Sequence, residues 1–372
     1  MTVFRRILRV LGWGTAGLLV GAFLIGYAAP YLSPVRFWWT GLFAVVLPPL
    51  AVGVGLLGLG IAGMGAYRRR WGRFVFAVGL LGLLAVRFGP RLAAWTVPTS
   101  TNDGLRIMSF NVPPTFVGQQ PRSAVPIAAF ATQQAPDILA FQESQVRTGT
   151  AASRPKINQS SPSLRPLLAD SVGYDGPRIL PPNTRIQQPV IGRVSLDSMS
   201  VHPLPPDGET NARSRYTRTQ FTWKGDPAVL YNLHLHTIGS VRPWSMIPEW
   251  PSLDRWQAFL TSYREGALRR AQQARLIRRQ IERESHPVIV VGDFNSTPHQ
   301  WAYRHIAQGL QSAATQRIAG WTATFPAERP LVRIDHVLAG PAWQITEARV
   351  LAPTSPPISD HRAVVAQLRW RR

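Results

Sequence analysis

The sequence predicts an α/β globular domain preceded by an α-helical transmembrane region. The first hundred residues are apolar sequence with ten arginines and no Asp or Glu. From Leu105 onwards, short apolar runs typical of strands alternate with polar loops and a long helical pattern. We therefore divide the chain into a transmembrane region, residues 1–98, and a globular domain, residues 103–372, which is long enough to bury a sizeable core.

Three apolar stretches of the first region are predicted to be membrane-spanning helices, at about residues 10–29, 41–66 and 74–95. We expect a kink at Pro48-Pro49, since neighbouring helices can satisfy the carbonyls that proline frees. The third stretch has only thirteen uncharged residues before Arg87, so it crosses only if its arginines reach the interface. A cleaved signal peptide is the less favoured interpretation of the first stretch, because a second apolar stretch follows it.

Arginine positions predict the orientation of these helices. Three arginines flank the start of the first stretch, four lie in residues 68–73, and only Arg36 lies between the first and second stretches. The positive-inside rule then places the N-terminus and residues 68–73 in the cytoplasm. Three crossings would export everything after about residue 95, whereas two would leave the globular domain inside.

Composition restricts the chemistry of the globular domain without identifying it. The net charge is +22 and is almost entirely arginine, with Lys only at Lys156 and Lys224, which most simply reflects a composition bias. A basic domain also favours anionic partners such as phosphoesters, nucleic acid or acidic lipid headgroups. The absence of Cys excludes disulfides, thiol catalysis and Cys-ligated zinc.

The most informative motif is the run at residues 287–295, PVIVVGDFN, where a buried strand leads into Asp293 and Asn295. Side chains two residues apart on an extended chain point to the same side, so both can face one ligand. An acid beside a neutral donor suits the activation of water at a phosphate. For this motif alone, a loop in which Asp and Asn cap their own backbone is an equal alternative.

Other polar residues also stand where apolar runs stop or begin. They are Asn111, Glu143, His234, His236, Asp335, Asp360 and His361. Strand ends that meet at one edge of a sheet would gather these side chains into a single cleft.

Six short motifs follow one another along the chain: SFNV, FQES, NLHLHT, GDFNSTP, RIDHVL and SDHRAVV. Over about residues 105–370 the chain resembles the endonuclease/exonuclease/phosphatase superfamily, which has a DNase I-like fold. The resemblance implies a four-layer α/β/β/α sandwich that hydrolyses phosphoester bonds. The N-terminal membrane region resembles that of a bacterial membrane-bound subgroup. This implies a multi-pass protein of the bacterial inner (cytoplasmic) membrane, and the three crossings predicted from the arginines would put its catalytic domain on the periplasmic or extracellular side.

Phosphoester cleavage needs a hard cation to neutralise charge on the phosphate, and Mg²⁺ prefers carboxylates and other oxygen ligands. We therefore expect Mg²⁺, with Mn²⁺ as a substitute, at Glu143, with Asp360 as a second-site candidate and Asn111 beside the metal and the substrate. A zinc site built from the histidines is a weaker alternative, because the surrounding carboxylates and amides suit a hard ion better.

The other side chains suit proton transfer and charge stabilisation. Asp293 is the predicted base for the attacking water, with Asn295 donating to a phosphate oxygen. His361 and His234 can stabilise the charge that develops in the transition state, and Asp335 would keep His361 protonated and oriented. The family resemblance implies the same Asp–His pairing.

Two more histidines need interpretation. His234 and His236 would point to the same side of a strand, and we favour His234 because Asn-x-His-Leu is the family's spacing. His236 is kept as a substrate-binding neighbour. His336 follows Asp335 within a strand and so points the other way, which favours a packed or exposed strand residue.

Specificity is expected in the loops, at residues 147–166, rich in Ser, Pro and Arg, and at the Trp-rich residues 241–256. An amphipathic helix with a solvated arginine face is predicted over residues 264–284. These loops carry no readable code, so the substrate stays open among phospholipid, nucleic acid and small molecules. The lipid bilayer and a phosphoester are the expected partners, and no protein partner is inferred. The alternatives are a nuclease acting on DNA or RNA and a catalytically inactive module that binds an anionic ligand.

Overall fold

The protein is described from a computed structural model. The described residues are 2–93, 103–113, 124–147, 173–174, 185–205, 214–238, 252–318, 320, 322–352, 354–355 and 357–371. Most of the two loops expected to carry specificity, 147–166 and 241–256, lies outside this part of the chain.

The N-terminal region is helical throughout its described length. Its elements are α1 (Thr2–Ala28), a 3-10 turn (Ala29–Tyr31), α2 (Pro34–Phe37), α3 (Thr40–Val45), α4 (Leu47–Tyr67) and α5 (Trp71–Ala93). By length and composition, three helical segments could cross a membrane: Arg6–Tyr31, Leu47–Tyr67 and Trp71–Pro90. They pack together around Phe23, Leu47, Val54 and Leu80.

The bounds of these helices differ from the predicted ones, and the differences at α4 and α5 have clear physical reasons. The expected kink inside a helix at 41–66 is wrong, because the chain turns at Val46 and α4 begins at Leu47 with proline in its first turn. Proline is favoured there, since the first N–H groups of a helix have no partner to lose. Helix α5 extends beyond the thirteen uncharged residues and continues through Arg87. The Arg87 guanidinium lies 5.3 Å from the centre of the Tyr27 ring.

The globular region alternates strands and helices. Its strands are β1 (Leu105–Asn111), β2 (Ile138–Gln142), β3 (Gln145–Arg147), β4 (Arg185–Gln187), β5 (Val190–Gly192), β6 (Leu196–Pro203), β7 (Arg215–Trp223), β8 (Asp226–His234), β9 (Val288–Asp293), β10 (Gln311–Ser312), β11 (Asp335–Ala339), β12 (Trp343–Val350) and β13 (Val364–Trp370). Its described helices are α6 (Ala124–Gln133), α7 (Leu253–Glu282), α8 (Trp301–Ile306) and α9 (Ala313–Arg317).

Two mixed sheets form the centre of this region. One has the order β12-β13-β1-β2-β5 and the other β10-β11-β9-β8-β7-β6, while β3 and β4 form a separate pair. Within them, β1 pairs with β2 and β8 with β9 in parallel, and the other pairs are antiparallel.

Alternating side chains on the strands divide the apolar core into layers. Ile107, Ile138, Leu230 and Ile289 pack between the two sheets. The neighbouring residues on the same strands face outwards, where one sheet packs on α6 and the other on α7 and α8. The predicted four-layer α/β/β/α sandwich is confirmed.

Helix α7 is longer than the 264–284 pattern indicated. It begins at Leu253, because the Ser252 side chain caps it by accepting from Arg255 N at 3.4 Å. Its predicted apolar stripe, including Ala274, Ile277 and Ile281, is buried against β8 and β9.

Candidate active site

The polar residues singled out in the sequence lie at one edge of the two sheets. Asn111 is opposite Gln142, the residue before Glu143, while Asp293 is opposite both His234 and Asp335 in the strand registers. Ser359 joins this group, since its Oγ donates to Asn111 O at 2.6 Å. His361 follows on the same segment, shortly before β13 begins at Val364.

Backbone geometry at this edge is unusual at three positions. Gly292 has a φ of +130°, and a Cβ there would lie 2.0 Å from Leu233 O, so only glycine allows β8 and β9 to approach this closely. Glu143 and Asn295 are left-handed, with φ of 55° and 45°. Such conformations cost energy in residues other than glycine and cluster at functional sites.

Asp293 is the buried centre of the site. Its Oδ2 accepts from Asn111 Nδ2 at 3.0 Å and from Asn295 Nδ2 at 3.2 Å, and its Oδ1 accepts from Asn295 N at 2.8 Å. Burial, and then the negative charge of Asp335, raise the pKa of Asp293 to about 6. A carboxylate with a pKa near neutrality is a better proton acceptor than an ordinary aspartate.

The second amide hydrogen of Asn295 is also used within the protein. Asn295 Nδ2 donates to Leu235 O at 3.0 Å, in addition to Asp293. This geometry differs from the expectation that Asn295 donates to a phosphate oxygen. It favours a residue that orients the Asp293 carboxylate.

Asp335 and His361 are in direct contact, as their predicted pairing requires. His361 Nδ1 donates to Asp335 Oδ2 at 3.0 Å and approaches Oδ1 at 3.2 Å. Burial lowers the pKa of His361, but the charges of Asp335, Asp293 and Asp360 outweigh it and raise the pKa to about 10. The imidazole is therefore held as a cation, with Nε2 4.0 Å from Asp293 Oδ2.

Glu143 and His234 form the more open side of the cluster. His234 Nε2 lies 3.6 Å from Glu143 Oε1 and 3.8 Å from Asp293 Oδ2, and the Glu143 side chain is 33% exposed. Asn111 Nδ2 lies 3.5 Å from Glu143 Oε1. The Glu143 and Asp360 side chains, each 33% exposed, are the solvent-facing members of the site.

The donor atoms around Asn111 fit a hard cation. Asn111 Oδ1 is buried and accepts no hydrogen bond from the residues that the structure describes. The Nδ2 of the same amide is the atom that faces Glu143, so Asn111 and Glu143 together offer an amide oxygen and a carboxylate, the ligand types that Mg²⁺ prefers. Asp360 is placed nearby, with Oδ1 4.0 Å from His361 Nε2.

A different trio, Asp293, Asp335 and His361, also brings its potential ligand atoms within 4.8 Å of one another. A protonated imidazole cannot coordinate a metal, however, and Asp335 keeps His361 protonated. The hydrogen bond between His361 and Asp335 fits an ion-pair network in this trio, and the Glu143 side is the other candidate position for a cation.

Two histidines have different surroundings. Strand β8 ends at His234, and His236 lies in the segment that follows it, where its backbone donates to Gln273 Oε1 at 2.8 Å and accepts from Arg270 at 3.0 Å. His336 is buried and its Nε2 donates to Ser296 O at 2.9 Å, so its interpretation as a packed strand residue is confirmed.

Sequence reasoning missed three supporting features of the site. Ser359 Oγ accepts from His361 N at 2.9 Å, and Gln142 Nε2 donates to Asn232 Oδ1 at 2.6 Å between the two sheets. Arg270 was grouped with a solvated arginine face but is 2% exposed. Ser359 and Gln142 stand inside motifs that the sequence already singles out. The only sequence signal for Arg270 is that it falls on the same face of α7 as the apolar residues of that helix.

Comparisons with known proteins show which family and which solved structures the chain is similar to. The model of the "Endonuclease/Exonuclease/phosphatase family" matches residues 108–361. An endonuclease/exonuclease/phosphatase from Bacteroides vulgatus is 18% identical, with a TM-score of 0.51 over 73% of this chain and 100% of that one. The mannosyl-6-phosphatase Bt3783 of Bacteroides thetaiotaomicron is 18% identical over 72% of this chain and 100% of its own, with a TM-score of 0.48. D. rerio TDP2 complexed with single-strand DNA product is 16% identical over 72% of this chain and 100% of its own, with a TM-score of 0.48.

At these identities, the likeness to solved structures shows the fold alone. A search of curated proteins found no significant match. The family match, in contrast, covers more than half of the chain and includes Glu143, Asp293 and His361. The chain belongs to the endonuclease/exonuclease/phosphatase family, whose members are hydrolases acting on phosphoester bonds.

Proposed function

We propose that this chain is a membrane-anchored, divalent-metal-dependent phosphoesterase in which an activated water attacks phosphorus and the P–O bond to the ester oxygen breaks. The observation that carries the proposal is the buried Asp293 carboxylate, held by Asn111 and Asn295 and flanked by the protonated His361. A base and a cationic donor within one cluster are what water attack on a phosphoester requires.

Each side chain of the site has a distinct role in the proposed reaction. Asp293 accepts the proton of the attacking water, and Asn295 keeps its carboxylate in place. His361, held by Asp335, donates to a phosphoryl oxygen as negative charge develops there, and His234 assists from the Glu143 side. Glu143 and Asn111 would hold the metal, with Asp360 as a candidate for a second ion; the bound cation supplies neutralisation of the phosphate charge.

The metal requirement is the first test, on the purified full chain with bis-p-nitrophenyl phosphate as substrate. We expect hydrolysis with Mg²⁺ or Mn²⁺ and its loss in excess EDTA. Glu143→Gln should raise the Mg²⁺ concentration needed for half-maximal rate, because it removes a charged ligand. Glu265→Gln, at an exposed position of α7, is the matched control. Full activity in EDTA would refute the metal-dependent reaction.

The substrate is decided by a panel rather than by the fold. The same preparation is offered plasmid DNA, RNA, phospholipids including sphingomyelin, and inositol phosphates. Preferential turnover of DNA or RNA would establish the alternative of a nuclease. Binding of these anions without turnover of any of them would indicate an inactive binding module.

A further inference from the structure

The loop that carries the proposed base is attached to the membrane region. We name residues 293–300 the catalytic loop and residues 32–46, between the first and second candidate spans, the interfacial segment. At the end of the catalytic loop, Gln300 Nε2 donates to Tyr263 OH at 3.0 Å and to Gly41 O of the interfacial segment at 3.4 Å. Three elements that are distant in sequence therefore meet at one buried amide.

Gln300 also closes the catalytic loop on itself. Its Oε1 accepts from Thr297 N at 2.8 Å and its backbone N donates to Thr297 O at 3.0 Å. One residue earlier, the ring of His299 lies 5.5 Å from the ring of Phe88 in α5. The end of the loop opposite Asp293 is thus fixed by contacts to two parts of the membrane region.

A second segment leaving the catalytic edge reaches the same place. The chain after His234 runs to Ile238, which packs with Tyr263, Trp38 and Leu42 in one apolar cluster. Ser262 Oγ on α7 also donates to Ile238 O at 2.7 Å. Both segments that follow the parallel strands β8 and β9 therefore rest on the interfacial segment.

Gly41 is the tight point of this junction. A Cβ at position 41 would lie 2.6 Å from Tyr263 OH, whereas the next atoms, Tyr263 Cζ and Gln300 Nε2, are both 3.6 Å away. Tyr263 is 1% exposed, so its ring is enclosed by the protein. A single methyl group at position 41 would push against the hydroxyl that holds Gln300.

We propose that the interfacial segment supports the active site by positioning the catalytic loop, and that Gly41, Tyr263 and Gln300 make the contact that does so. Through this contact, turnover by the globular domain depends on its attachment to the membrane region. The inference rests on the proposed function as far as turnover is concerned, while the contact itself does not. Displacements of about 1 Å far from the chemistry can cost on the order of 10²-fold in rate, so a shifted loop is sufficient to impair Asp293.

The test compares Gly41→Ala with Gly63→Ala in the full chain, reconstituted in lipid nanodiscs. Both glycines lie in helices, but a Cβ at position 63 meets nothing within 4 Å. We expect Gly41→Ala to lower kcat about tenfold or more with KM unchanged within about twofold, because it misplaces the base without touching the substrate. The amides of residues 294–300 should also exchange hydrogen faster than in the control.

Tyr263→Phe tests the route of the effect and serves as the milder variant if Gly41→Ala does not fold. It removes the hydroxyl that a methyl at position 41 would strike. The double variant Gly41→Ala, Tyr263→Phe should therefore be no less active than Tyr263→Phe alone, giving a non-additive cycle. Losses that multiply would overturn the proposed contact.

Two further outcomes also decide the proposal. If Gly41→Ala matches Gly63→Ala in both kcat and exchange, or if only KM changes, the interfacial segment does not position the loop. If the unmodified protein turns over no phosphoester, the proposed function fails, and the exchange comparison still shows whether Gly41 supports residues 294–300.

Discussion

At the residue scale, the site depends on two buried groups whose pKa values are both raised. Burial is the main cause for Asp293, because a charged carboxylate is poorly solvated there. For His361 burial acts in the opposite direction, and the negative charge of Asp335 overcomes it. Between their two pKa values Asp293 is ionised while His361 remains protonated, which is the combination that a base and a cationic donor need.

This combination predicts the pH dependence of the rate. Asp293 is protonated, and so lost as a base, as the pH falls through about 6; His361 loses its proton as the pH rises through about 10. We expect log(kcat/KM) to be flat between these values and to fall on both sides. In Asp335→Asn the alkaline limb should move to lower pH, because the charge that raises the His361 pKa is gone. An unshifted alkaline limb would assign it to another group.

Mutant cycles test the division of roles. Asp293→Asn and His361→Ala should each reduce kcat on the order of 10²-fold or more while circular dichroism remains unchanged. Asp335→Asn should cause a smaller loss, and its combination with His361→Ala should be no worse than His361→Ala alone, since Asp335 acts through that imidazole. If the two losses multiply, Asp335 has a role of its own.

At the element scale, the site exists because two parallel strands end together. The register aligns His234 with Asp293, and the close approach at Gly292 is what permits it. A glycine in a strand interior weakens the strand unless another backbone comes close, which is the situation between β8 and β9.

Gly292→Ala should therefore destabilise the domain by on the order of 3 kcal/mol or more, since backbone atoms of Leu233 cannot move aside as a side chain could. Thermal unfolding of the purified protein measures the loss. Gly309→Ala is the control: Gly309 also has a positive φ, of +71°, but a Cβ there meets nothing within 4 Å. Equal losses would mean that backbone strain, and not the contact with β8, is the cause.

At the scale of the whole molecule, the membrane region and the globular domain form one packed unit at their junction. Besides the Gly41 contact, the guanidinium of Arg304 in α8 lies 4.0 Å from the centre of the Tyr31 ring. The interfacial segment and the globular domain consequently share one side of the three candidate spans, and residues 68–70 lie at the opposite end of α4 and α5.

The arginine-rich turn predicts which side that is. Arg68, Arg69, Arg70 and Arg73 should remain cytoplasmic, which puts the interfacial segment and the globular domain outside the cytoplasm. Two reporters, one active only in the cytoplasm and one only outside it, fused after Ser100 and after Arg372, measure the topology. We expect signal only from the second reporter at both positions. Cytoplasmic signal at both would place the domain inside and make cytosolic nucleic acid an accessible substrate.

The sequence by itself determined the fold class and the residues that meet at the site. Period-two and helical patterns are local properties, and six short motifs at strand ends were enough to nominate Asn111, Glu143, Asp293, Asp335 and His361. Helix starts were predicted less well. The first turn of α4 contains Pro48, and in the sequence a proline there indicates a kink within a helix as well as it indicates a helix start. The cap of α7, Ser252, lies before the arginine-rich pattern that predicted this helix.

Only the tertiary structure decided how those residues work together. The Asn295 amide faces Asp293 and Leu235 rather than the cleft, Arg270 is buried, and Gly41 touches the tyrosine that holds the catalytic loop. None of this is encoded locally, because burial, amide orientation and close backbone approach depend on which elements pack together across the whole chain. The pKa values of Asp293 and His361 are also set by the tertiary structure, through burial and through the charge of Asp335. In the sequence, Asp335 lies 42 residues from Asp293 and 26 residues from His361.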